Sequence, residues 1–99
     1  MNNLPIFKNE LKNKVVAKYK LIGIVSEMIL SFEIFANNPS LIPFIQRIFN
    51  KEYRPYVFSS RTILLSRIAR AIDNAPDEDI ANYKAQLYSF IEEVLHDSK

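Results

Sequence analysis

The sequence predicts an all-α fold, a small four-helix bundle with a long first helix, and three observations point to it. Apolar residues recur at spacings of three and four rather than two, which is the helical period. Prolines at positions 5, 39, 43, 55 and 76 cut the chain into stretches of helix length. A single glycine leaves few of the tight turns that an all-β fold requires. With 99 residues, 48% of them apolar and 24% charged, the chain is expected to form one domain over residues 1–99 with a core of its own.

The first helix is expected from about Pro5 or Ile6 to Ala36, since proline is tolerated in a first turn and Asn37-Asn38-Pro39 is a stop signal. Its apolar seam reads Phe7, Leu11, Val15, Tyr19, Ile22, Val25, Ile29 and Phe32. The second helix, about Ser40 to Arg54, has Ser40 as its cap and turns Leu41, Ile45, Ile48 and Phe49 inward. The third starts between Pro55 and Ser59 and ends near Asp73, with Val57 or Phe58, Leu64, Leu65, Ile68 and Ile72 as its stripe. The fourth begins in the cluster Asn74 to Asp79, where acids meet the positive end of a helix dipole, and carries Ile80, Tyr83, Leu87, Phe90, Ile91 and Val94.

A first helix of that length would measure about 46 Å, against about 30 Å for the fourth. Leu21, Ile24, Met28 and Phe35 lie off its seam and form a second apolar face. Either Gly23 breaks the helix and the halves fold back, or a second copy covers that face. The reading favoured is a homodimer with Leu21, Ile24, Met28 and Phe35 at its interface.

Composition removes most enzyme chemistry. The absence of cysteine excludes thiolate nucleophiles and Cys-ligated metal centres, and the only histidine is His96, three residues from a terminus expected to fray. Glu92, Glu93 and His96 share one helix turn in a Glu-x-x-His spacing, but a carboxylate-bridged metal site needs a second such element. The serines have no base beside them in sequence. The chain is therefore read as non-enzymatic, with no cofactor and no metal. The apolar window from Leu21 to Ala36 contains Glu27 and Glu33 and is short of the about 20 residues of a membrane span. With no targeting segment legible, the expected location is the cytoplasm.

A net charge of +2 hides a strong segregation. Residues 1–20 carry five lysines against Glu10, residues 47–70 carry five arginines and Lys51 against Glu52, and residues 71–99 carry seven acids against two lysines. Complementary neighbours in a bundle account for part of this, through rim pairs of at most about 1 kcal/mol. The first twenty residues also have the ingredients of a basic amphipathic element, but their apolar stripe is better used in the core. The basic, aromatic stretch 47–70 is the expected contact surface of a protein-interaction module of the regulator, adaptor or inhibitor type. Its candidate partner-binding residues are Arg47, Lys51, Tyr53, Arg54, Tyr56, Arg61 and Arg67. The alternative is an electrostatic nucleic-acid binder using the same stretch, with Arg70 and Phe49 added. Arg61 stands apart because it begins the stripe of Leu65, Ile68 and Ile72, where a charge demands a partner. Glu27 or Glu33 is the expected buried partner, and an exposed protein anchor is the competing role.

Overall fold

The computed structural model describes residues 3–97 and, among them, shows six α-helices and no strand. In chain order they are α1 (Leu4–Leu11), α2 (Lys18–Leu30), α3 (Leu41–Phe49), α4 (Pro55–Phe58), α5 (Arg61–Asn74) and α6 (Asp77–Asp97), with a 3₁₀ turn at Asn38–Ser40 before α3. The all-α expectation holds; the count is six rather than four. No helix among the described residues is long and apolar enough to cross a membrane.

The long first helix is replaced by two. Helix α1 tightens at its end, where the Lys12 and Asn13 amides donate three residues back to the Asn9 and Glu10 carbonyls, at 3.3 and 3.2 Å. Residues 14–17 leave helical conformation, and α2 restarts after an extended Ala17. The break lies there and not at Gly23, which sits inside α2 with open space around it. Two forces favour it. Asn13, Val15 and Val16 are modest helix formers, and the loop turns Val16 into the core while Leu11 and Leu21 stay buried on either side. The Lys84 ammonium donates to the carbonyls of Asn13 and Lys14, which an α-helix would have paired internally.

Breaking the helix changes its faces. Within the expected seam, Leu11, Val25 and Ile29 are buried, but Val15, Tyr19 and Phe32 are 84%, 78% and 68% exposed. The side chains assigned to a homodimer interface are the reverse case: Leu21, Ile24, Met28 and Phe35 are at most 3% exposed within one chain. Helix α5 packs on α2, and Phe35 stands among Phe44 and Phe90 with ring centres 4.8 and 6.0 Å away. The chain itself covers the face that a second copy was expected to cover.

The remaining elements follow local chemistry. Asn37 accepts the Ser40 amide at 3.0 Å through its side chain and so opens the 3₁₀ turn. Asn50 ends α3 in the left-handed conformation, φ 53°, which asparagine tolerates better than most side chains. Pro55 opens the single turn α4, the Ser60 hydroxyl accepts the Ile63 amide at the head of α5, and Asp77, Glu78 and Asp79 occupy the first turn of α6. Helix α6 packs against α1 and α3, while α5 packs against α2 and α4. One contiguous core joins all six helices in a slab of 36 × 35 × 18 Å.

Candidate protein-binding surface

Arg61 is buried, 8% exposed, and its partners are carbonyl oxygens rather than carboxylates. Nη1 donates to the Ile29 carbonyl at 2.8 Å and to that of Ser31 at 3.3 Å, Nη2 donates to the Phe35 carbonyl at 2.6 Å, and Nε donates to Asn38 Oδ1 at 2.8 Å. The planar fork thus closes the C-terminal end of α2, where carbonyls lack helical partners and the dipole is negative. It also ties the segment between α2 and the 3₁₀ turn, and Asn38 at the start of that turn, to the head of α5. The expected burial of a paired charge holds. The expected partners do not, since Glu27 accepts from Asn3 and Glu33 is exposed. Burial likewise removes Arg61 from the set of surface anchors.

Arg47 is also committed within the chain. It meets Glu93 of α6 edge to edge at 2.8 and 2.5 Å and lies 5.7 Å from the Phe90 ring centre. The hydrogen bonds between them, with the paired charges adding to the effect, hold the Glu93 carboxyl below its ordinary value and the guanidinium above its own. Lys8 lies 3.5 Å from Glu92, so both carboxylates beside His96 face cations.

The other residues of the basic stretch gather around Tyr53. The chain between α3 and α4 lays this half-buried ring against Phe58, centres 6.4 Å apart. Tyr53 lines a cleft of about 410 Å³ together with Lys51, Arg67, Arg70 and Asp79, and with Ala71, Asn74, Ala75, Pro76 and Tyr83. Spacings of three and four along α5 bring Arg67, Arg70 and Asn74 to one face. Arg67 is oriented by donating to the Tyr56 hydroxyl at 3.0 Å, with its guanidinium 5.9 Å from that ring centre. Tyr53 also lines a groove of about 380 Å³, mostly apolar, with Pro39, Ile42, Pro55 and Phe58 and with Asn38 and Ser59.

Burial pushes the Tyr53 phenol above its ordinary value while the Arg67 charge opposes the shift, and burial and the Asp79 charge push Tyr83 up. Both rings therefore stay neutral donors beside the cleft cations.

Of the seven candidate residues, the fold brings Lys51, Tyr53, Tyr56 and Arg67 together. Arg54 stands exposed at the head of α4 and lines neither hollow, Arg47 faces α6, and Arg61 is internal. Ile42, Pro55 and Phe58 were missing from the expected surface. Their only sequence signal is weak, two prolines flanking short apolar runs, because a groove between α3 and α4 depends on tertiary placement. Compared with models of known protein families, with curated proteins and with solved structures, the chain matches none.

Proposed function

We propose that the chain is a non-enzymatic helical protein–protein interaction module of the regulator, adaptor or inhibitor type, contacting its partner through Lys51, Tyr53, Tyr56, Arg67 and Arg70. The observation that carries this reading is the half-buried Tyr53, which lines both a cationic cleft and an apolar groove. Aromatic and arginine side chains beside an apolar pocket are the composition of binding hot spots. A nucleic-acid surface would draw on the same cations, but Arg47 and Arg61 are engaged within the chain and Asp79 lines the cleft, which weakens a phosphate track.

The test is capture from a nuclease-treated lysate with immobilised wild-type protein and with the double variant Lys51→Glu, Arg70→Glu, read by quantitative mass spectrometry. Proteins retained by the wild type and lost with the variant support the reading. Identical sets of retained proteins overturn it, as does capture that disappears on nuclease treatment.

A further inference from the structure

The two hollows beside Tyr53 differ in what they can hold. The groove offers Ile42, Phe58 and two prolines, and a proline has no N–H to donate, so an anion entering there would lose its hydration for little return. An apolar side chain would instead leave water at a gain. The cleft is the opposite: Lys51, Arg67 and Arg70 stand around it against the single carboxylate of Asp79. With Arg67 held by the Tyr56 hydroxyl, its planar fork is set to meet a carboxylate.

Two residues that line the groove are already held within the chain: the Arg61 Nε bond holds Asn38, and the Ser59 hydroxyl donates to the Tyr56 carbonyl at 2.6 Å. A preformed groove spares a ligand the cost of ordering it.

We infer that the occupant is an acidic segment of a partner protein with one apolar anchor, the anchor seated between Ile42 and Phe58 and the carboxylates set against Lys51, Arg67 and Arg70 across the Tyr53 ring. This rests on the protein-binding reading above and names the chemistry of the partner. Charge complementarity selects an acidic chain, and the adjoining apolar groove selects a peptide over a phosphate backbone.

Fluorescence anisotropy tests it with a short fluorescein-labelled peptide of glutamates around a central leucine. Three comparison probes are the same peptide with serine for leucine, the same with lysines for glutamates, and a short oligothymidylate. The expected result is saturable binding of the first peptide at about 100 μM or tighter, and at least roughly tenfold weaker binding of each comparison probe. Ile42→Asp should erase the advantage of leucine over serine, and Arg70→Glu should erase the preference for glutamate over lysine. Both side chains are exposed, so neither variant threatens the fold. Equal binding of the leucine and serine peptides, tighter binding of the oligothymidylate, or no saturation by about 1 mM overturns the inference. Should the peptide fail while lysate capture still depends on Lys51 and Arg70, the acidic occupant is wrong and the protein-binding reading stands.

Discussion

The guanidinium of Arg61 lies 3.9 Å from the centre of the Phe32 ring, so an aromatic that is 68% exposed covers the face of a cation whose edges are held by main-chain oxygens. Phe32 is therefore no stray apolar residue on the surface. It shields the polar cluster that joins α2, the segment after it and α5, and an aromatic face attracts a guanidinium placed over it.

Removing Arg61 should cost far more than a surface arginine. Arg61→Ala leaves the Ile29 and Phe35 carbonyls without their donor, and each buried group stranded in this way costs about 1–3 kcal/mol. Urea melts should show a loss of about 3 kcal/mol, with Arg61→Lys recovering less than half of it because a point charge cannot span the three carbonyls. A loss below about 1 kcal/mol would contradict the buried cluster.

Gly23 occupies an exposed turn in the middle of α2, and a methyl group there would meet nothing within 4 Å. Gly23→Ala should raise stability by about 0.5–1 kcal/mol, the helix-propensity difference alone. Destabilisation in thermal or urea melts would mean that the helix bends at this residue.

Ile24 is 3% exposed within a single chain. Ile24→Asp should therefore unfold the protein at every concentration, because an unpaired carboxylate would enter the core. Circular dichroism combined with sedimentation equilibrium checks this. A variant with native helicity and half the wild-type mass would restore Ile24 to a subunit interface.

The Arg47–Glu93 pair makes stability depend on acidity. Since the folded-state value of Glu93 is depressed, its contribution is present above the ordinary carboxylate value of 4.5 and disappears as pH falls through the lower folded value. Urea midpoints measured across that acid range should fall more steeply for the wild type than for Glu93→Gln. Parallel curves would show that the pair does not persist in solution.

Tyr53 and Tyr83 have raised values, so the sign reverses on the alkaline side. Their neutral forms are favoured by the fold, and stability declines once pH passes 10.0 and the unfolded chain ionises first. Absorbance titration of the phenolates should resolve a late-ionising class that shrinks in Tyr53→Phe. Loss of a phenolate from the ordinary class instead, with the late class intact, would place Tyr53 in open solvent.

The helical period and the prolines made most of the architecture legible. The stripe of Leu64, Ile68 and Ile72 and that of Ile80, Tyr83, Leu87 and Ile91 are buried as their spacing requires. Leu11, Val15 and Tyr19 misled because their spacing continues a helical stripe across Lys12–Ala17, where no single residue forbids a helix. The modest propensity there is a weak signal, and the burial of Val16 and the reach of Lys84, far along the chain, are tertiary features that sequence spacing does not show. The demand of Arg61 for a partner was readable for the same reason that its partner was not. A charge in an apolar stripe is visible in sequence, whereas main-chain carbonyls belong to every residue. The cleft was half legible, because Lys51, Tyr53 and Arg67 announce themselves by type, while the groove beside them exists only once α3 and α4 have met.

The pairing of α1 with α6 sets an order of events during synthesis. Leu4 and Leu11 are 1% and 2% exposed, and the helix that chiefly covers them ends at Asp97. At about 5–20 residues per second on the ribosome, α1 emerges seconds before its cover is made and must wait with both leucines in water. Helices α2, α4 and α5 can pair in the meantime, while α3, which packs on α6, waits as well. Until α6 is made, α1 lacks the helix that packs on it, and the Lys84 bonds to the Asn13 and Lys14 carbonyls behind α1 cannot form.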